Sequence, residues 1–324
     1  MTNDVSFLSW LAVIVRTALV IAACVAGAAV AGTVTVRDGS GREVAIADSR
    51  RIVSIGGSVT EILHALGEDA HVVAVDTTSQ FPADMLRRKA NVGYMRQLSP
   101  EGVLGLAPSL ILALDGAGPK EAIAVIEQAG IPIVHVPDRF DGAGIADKIR
   151  LIAAAVSQDA RGRCLARQVE DDLAALAQLR GRIRDKARVL FVLSLVNGRV
   201  MVGGHNTAAD GIIAMAGAAN AASDVEGYKI VSDEAIVAAG PAAIVVMERP
   251  NMKLSAEEVF AHPAFAATPA ARSKAFVSME GLYLLGFGPR TARAARDLAV
   301  RIYPALETAP LPSERGSPAA ACGA

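Results

Sequence analysis

Two stretches of this chain align without gaps: Ser99-Pro-Glu-Gly-Val-Leu-Gly-Leu-Ala-Pro-Ser-Leu-Ile-Leu-Ala-Leu-Asp115 and Ser232-Asp-Glu-Ala-Ile-Val-Ala-Ala-Gly-Pro-Ala-Ala-Ile-Val-Val-Met-Glu248. Each reads as a short helix, a proline turn, a buried strand and an acid. Two further pairs match upstream: Gly93-Tyr94 with Gly227-Tyr228, and residues 61–67 with 211–217. Three matches indicate a duplication, so we expect two similar α/β lobes.

Apolar strand patterns alternate with helical patterns along the chain. The runs at residues 51–55, 110–114 and 133–136 are separated by helical periodicity, which is typical of a parallel sheet covered on both faces. Residues 144–184 show a helical pattern without strand signals, and one helix of about 25 residues would span roughly 37 Å. We therefore predict an α/β fold: two Rossmann-like lobes with parallel sheets, joined by one long backbone helix. Ligands of such sheets bind outside the carboxyl ends of the strands, here in a cleft between the lobes.

The pattern divides the chain into a signal peptide (1–31), an N-terminal α/β lobe (32–143), a helical linker with the backbone helix (144–186), a C-terminal α/β lobe (187–306) and a disordered tail (307–324). Residues 17–31 carry no charge and close with Ala29-Val-Ala31, which is typical of a cleaved secretory signal. A transmembrane anchor competes, but Arg16 splits the apolar stretch into pieces shorter than the roughly 20 residues that span a bilayer. A lipid anchor at Cys24 stays open, and the expected location is the periplasm.

Composition narrows the class of partner. Lys and Arg number 32 against 33 Asp and Glu, so the net charge of -1 gives no electrostatic reason to expect nucleic acid. The sequence contains no Gly-x-Ser-x-Gly elbow, phosphate-binding loop or well-placed dinucleotide fingerprint, so we do not expect an enzyme. Cleavage would leave Cys164 and Cys322, whose placement predicts no disulfide framework, so stability is expected to come from packed cores.

Three segments resemble one family: Arg51-Ile-Val-Ser-Ile-Gly-Gly-Ser-Val-Thr-Glu61, Val92-Gly-Tyr-Met-Arg-Gln-Leu-Ser-Pro-Glu101 and Gly281-Leu-Tyr-Leu-Leu-Gly-Phe-Gly-Pro-Arg290. They are similar to the periplasmic haem-binding proteins of haem ABC importers, which have the class III periplasmic binding protein fold. The resemblance extends over about residues 51–303. The first segment is shared with siderophore- and cobalamin-binding relatives, whereas the other two point more narrowly to haem.

The resemblance implies that Tyr94 coordinates the haem iron and that Arg96 supports it. A phenolate is a hard anionic oxygen that suits ferric iron, and tyrosine is a known axial haem ligand. Its ordinary pKa is near 10, so ionisation is favoured by the metal and by a neighbouring guanidinium. Without the resemblance, Tyr94 and Arg96 would be interpreted as a loop tyrosine and a solvated surface charge.

Two second-lobe residues are weaker predictions. Arg249 follows the predicted strand that ends at Glu248, and the resemblance implies a contact with the haem propionates or the axial tyrosine. A loop arginine in water is the alternative. Some relatives add an axial histidine, and His205 is the histidine expected to reach the cleft, although a loop or capping role competes. No histidine pair has zinc-site spacing, which argues against the branch of this fold that binds metal ions.

The repeat also places Glu101 and Glu234 equivalently, one on each lobe. The resemblance implies that they dock onto arginines of the two permease subunits; capping of their own helices is the alternative. The expected protein is thus a monomer that binds haem b as transported ligand and delivers it to an ABC permease dimer with its ATPase subunits. A ferric siderophore or a corrinoid is the alternative cargo.

Overall fold

The strands of the first half form one parallel sheet. The computed structural model describes residues 32–249, 253–306, 310–314 and 322. The sheet order is β5-β4-β3-β6-β7, from β3 (Ile52–Ile55), β4 (Val72–Val75), β5 (Ala90–Asn91), β6 (Leu110–Leu114) and β7 (Ile133–Val136). A hairpin of β1 (Val34–Arg37) and β2 (Glu43–Ile46) precedes it. Every residue of β3 and β6 is buried, as expected for strands covered on both faces.

The second half forms a mixed sheet. Its order is β11-β9-β8-β12-β13 with β10 beside β8, from β8 (Arg188–Val196), β9 (Arg199–Gly203), β10 (Ala219–Asn220), β11 (Tyr228–Val231), β12 (Ala243–Glu248) and β13 (Phe276–Glu280). The predicted parallel arrangement holds for β8, β10, β12 and β13, whereas β9 pairs antiparallel with β8 and β11. The reason is local: Asn197 and Gly198 both have left-handed backbone angles, φ 51° and 72°. Such a two-residue turn reverses the chain directly.

The helices are α1 (Gly57–Ala65), α2 (Met85–Arg88), α3 (Pro100–Leu104), α4 (Lys120–Gln128), α5 (Gly142–Ala155), α6 (Asp159–Arg180), α7 (Ala208–Met215), α8 (Asp233–Ala239), α9 (Ala256–Ala261), α10 (Pro263–Ala266), α11 (Pro269–Ser273), α12 (Gly281–Leu285) and α13 (Thr291–Ile302). A 3-10 helix, Pro312–Glu314, follows. Helix α6 has 22 residues and a length of about 33 Å, which confirms the long helix between the two sheets.

The internal repeat is visible in the backbone. Ser99 and Ser232 are the N-caps of α3 and α8, and each side chain accepts a hydrogen bond from the backbone N–H three residues later at 3.3 Å. Both helices are followed by a residue in the left-handed region, Ala107 at φ 46° and Gly240 at φ 52°. The buried strands β6 and β12 come next, as the aligned sequences predict.

The two sheets share one hydrophobic core. A single cluster of buried side chains contains Ile55 and Leu112 of the first sheet, Leu176 of α6, and Phe191 and Val245 of the second sheet. A smaller cluster lies against the second sheet alone. Residues from Val34 onward therefore form one compact unit. The lobe boundaries at residues 143 and 186 stay predictions.

Part of the segment predicted as a disordered tail, residues 310–314, packs against two helices. Leu311 is buried, and Ser313 donates to the carboxylate of Asp172 on α6 through its N–H and its hydroxyl, at 2.9 and 2.5 Å. Glu314 pairs with Arg296 on α13. The expectation that the two mature cysteines stay apart is wrong, since Cys164 on α6 forms a disulfide with Cys322. Ser313 and Glu314 thus have specific partners on α6 and α13.

The predicted signal peptide, residues 1–31 with Cys24, lies outside the described residues. Within the part of the chain that the structure describes, no helix combines the length and the apolar character that crossing a membrane requires.

Candidate functional site

Tyr94 lies on a short loop that the backbone holds in place. Gly93 has a left-handed φ of 88°, its N–H donates to the Asn91 side chain at 2.8 Å, and its carbonyl accepts from the Thr77 N–H at 2.9 Å. The Tyr94 carbonyl accepts from the Gln97 N–H at 2.8 Å. The ring is 44% exposed. No described residue forms a hydrogen bond with its hydroxyl, so the phenol oxygen is available to a ligand.

The loop points its polar residues outward because its apolar residues are anchored. Met95 and Leu98 are buried, and both are tied by backbone hydrogen bonds to Gly118, at 2.9 and 2.8 Å. Tyr94 and Arg96 alternate with them and are exposed. The predicted ligand and its predicted supporting cation therefore lie on one rigid loop, as the Gly-Tyr-x-Arg spacing implies.

The structure adds Tyr228, which the sequence interpretation used only as a repeat partner. It begins β11, and its ring packs edge-on against Phe191, with a centroid distance of 6.4 Å. Burial raises the pKa of Tyr228, while the Ala209 N–H, the Thr207 side chain and the Arg96 guanidinium act in the opposite direction. Arg96 belongs to the first half and Tyr228 to the second, so a charge of one Gly-Tyr segment acts on the phenol of the other. The duplicated Gly-Tyr pair was the signal for this residue.

Arg249 is half-buried and comes directly after β12, at the carboxyl end of the strand where it was predicted. The carboxylate of the preceding Glu248 accepts a hydrogen bond from the Ser278 hydroxyl at 2.9 Å. Arg249 therefore lies at the strand end from which a ligand of this sheet would be contacted.

His205 does not offer a free ring nitrogen. Its Nδ1 lies 3.0 Å from the Val225 carbonyl and its Nε2 contacts the Glu226 carboxylate. The other four histidines also pair with carboxylates: His64 with Asp69, His71 with Glu68, His135 with Glu127 and His262 with Asp233. Within the described residues, no cluster of three or more His, Cys, Asp or Glu could hold a metal ion.

Glu101 and Glu234 lie in the first turns of α3 and α8, and both are exposed. The pKa of Glu234 is lowered by its own backbone N–H and by the Ser232 hydroxyl, so this carboxylate makes local capping contacts. The serine caps serve both helices in the same way. The two acids are therefore equivalent in position and reachable from outside.

Two α/β halves joined by a long helix, each with a Gly-Tyr pair, define a two-lobed binding protein of the helical-backbone class. The chain belongs to the periplasmic binding protein family, whose model, described as "Periplasmic binding protein", matches residues 52–281.

Several solved structures that resemble this chain are periplasmic haem-binding proteins. The apo form of the one from Roseiflexus sp. RS-1 is 38% identical, with a TM-score of 0.76 over 80% of this chain and 100% of that chain. Among curated proteins, an uncharacterized ABC transporter substrate-binding lipoprotein of Bacillus subtilis is 27% identical over 84% of this chain and 86% of its own length. A vitamin B12-binding protein of Pectobacterium carotovorum is 23% identical over 73% of this chain and 84% of its own length.

Proposed function

We propose that this protein captures haem in the periplasm and delivers it to the permease of an ABC importer. The observation that carries the proposal is the exposed Tyr94 phenol on a rigid loop, with Arg96 two residues away. The likeness to periplasmic haem-binding proteins supports it.

The chemistry of this loop fits ferric iron. A phenolate oxygen is a hard donor that prefers a trivalent cation, and a nearby guanidinium favours the ionised phenol. Since each described histidine already has a carboxylate partner, an oxygen ligand is the better match at this loop. Haem would enter as haem b, the transported ligand, and would leave the protein chemically unchanged.

The second half would complete the site. Tyr228 is close enough to feel the charge of Arg96, but its hydroxyl already bonds Ala209 and Thr207, while Arg249 offers a guanidinium that can bind a propionate through two parallel hydrogen bonds. His205 would have to exchange its contact with Glu226 for the iron, so we rank it below Tyr94 as an iron ligand.

Export and delivery complete the proposal. Residues 1–31 would be removed as a signal peptide, with lipidation at Cys24 as the alternative form of attachment. The exposed Glu101 and Glu234 would dock the monomer onto the permease dimer, one acid on each subunit, while the ATPase subunits drive transport. We propose no enzymatic activity.

A corrinoid is the second candidate cargo, because a vitamin B12-binding protein is among the relatives. Titrating the mature protein with ferric haem and, in parallel, with cyanocobalamin separates the two. We expect a saturable high-spin, tyrosinate-type haem spectrum and no response to cobalamin. The reverse result would assign the protein to the corrinoid branch.

The same titration tests the ligand. Tyr94→Phe keeps the ring and removes the oxygen, so we expect loss of the tyrosinate spectrum and of most haem affinity. Tyr228→Phe is the matched control from the other half and should keep the tyrosinate spectrum if Tyr94 is the principal ligand. If Tyr94→Phe titrates like the parent protein, Tyr94 is not the iron ligand.

A further inference from the structure

Two of the three segments that carry the family resemblance end on residues that touch. Glu61 lies on α1 in the first half, and Arg290 directly precedes α13 in the second half. The Arg290 N–H donates to one carboxylate oxygen of Glu61 at 3.1 Å, and its Nη2 donates to the other at 2.9 Å. One arginine thus binds both oxygens of an acid across the boundary between the halves.

This ion pair is withdrawn from water. The Glu61 side chain is 4% exposed and that of Arg290 is 21% exposed. The guanidinium stacks over the ring of Phe81, 3.7 Å from its centroid, and its buried Nε has no hydrogen-bond partner among the described residues. Gly288 fits closely here, since a Cβ at that position would lie 3.2 Å from the Glu61 carboxyl carbon.

A second buried cation holds the same segment. Lys148 on α5 has a fully buried side chain, and its Nζ donates to Asp138 at 2.6 Å, Ser58 at 3.2 Å and the Phe287 carbonyl at 3.4 Å. The Phe287 ring packs edge-on against Phe140 of the first half, at 5.3 Å. Residues 287–290 of the second half are therefore fastened to the first half at both ends.

Separating the halves would break these contacts and leave buried charges without partners, which is costly. We propose that residues 287–290 form a latch, held by Glu61 and Lys148, whose opening sets the rate at which bound ligand leaves the protein. The latch residues are not the proposed iron ligands, so they act on release through the position of the two halves. The release part of this proposal rests on the proposed function.

Glu61→Gln tests the latch because it keeps the shape and removes the charge. In ligand-free protein, hydrogen exchange of residues 286–291 and of α1 should become faster. In loaded protein, transfer of haem to excess apomyoglobin should be about tenfold faster, the change expected for one charge-assisted contact, with the haem spectrum unaltered. Arg290→Gln should have the same effect, and the double variant should not add to it.

Glu68→Gln is the matched control. Glu68 is also buried, and it bonds His71 at 2.6 Å and Gln158 at 2.6 Å, within the first half and at the start of α6. The Glu68→Gln variant should be less stable than the parent protein, but its rate of ligand release should be unchanged. Unchanged exchange at 286–291 in Glu61→Gln, or faster exchange with unchanged transfer, would overturn the latch. If the parent protein binds cyanocobalamin instead of haem, the proposed function fails, and dissociation of that corrinoid becomes the release measurement.

Discussion

Removing the disulfide between Cys164 and Cys322 should lower the free energy of unfolding by more than removing any single contact of the carboxyl-terminal segment. The bond joins Cys164 on α6 to Cys322, and the two residues are 158 positions apart. A cross-link over a loop of that length lowers the entropy of the unfolded chain by an amount equivalent to about 5 kcal/mol at 25 °C. The contacts of Ser313 and Glu314 with the helices remain in the native state of the variant, so the native fold should persist.

The assay is urea unfolding of oxidised mature protein beside Cys322→Ser, followed by circular dichroism. Cys164→Ser is the control, because it removes the same cross-link from the other end and should give the same loss. Thiol titration of denatured, exported parent protein should find both cysteines blocked. Cytoplasmic expression should leave them reduced and reproduce the loss. A difference below about 1 kcal/mol between parent and both variants would refute the loop-entropy argument.

Two further predictions concern charges. Arg296 donates a hydrogen bond to Glu314 and lowers the pKa of that carboxyl. The ionised Glu314 therefore stabilises the fold at pH values above the ordinary carboxyl pKa, and this stabilisation is lost as the pH falls through the lowered pKa. The difference in unfolding free energy between the parent protein and Glu314→Gln should accordingly shrink below about pH 4, and a difference that grows in acid would contradict this sign. Glu101→Ala combined with Glu234→Ala should leave haem binding intact and reduce haem uptake through the cognate importer. Glu257→Ala, in the exposed first turn of α9, is the control and should not reduce uptake. Normal uptake by the double variant would contradict the docking role.

The sequence repeat predicted the architecture well because the features that define it are local. The serine caps, the proline turns and the buried strands after them depend on neighbours within a few residues, and α3–β6 and α8–β12 follow the aligned letters. The long helix α6 was predictable from its periodicity for the same reason. The antiparallel pairing of β9 also has a local signal, the turn residues Asn197 and Gly198. The expected α/β alternation nevertheless led us to predict a uniformly parallel sheet.

The contacts that were missed join residues far apart in sequence. Cys164 and Cys322 give no spacing from which a bond could be predicted, since their approach depends on the path of the tail over α6 and α13. The effect of Arg96 on Tyr228 depends on how the halves pack, and the partners of His205 depend on the position of Val225 and Glu226. The ligand role of Tyr94 itself stays a prediction until haem is titrated.

The core shared by the two sheets has a consequence for how such receptors diversify. A piece containing residues 32–143 alone would expose to water the apolar face that the remainder of the chain now covers, and it would aggregate before it could bind anything. We therefore expect an exchange of one half between two such receptors to fail unless the buried side chains of the other half are changed with it.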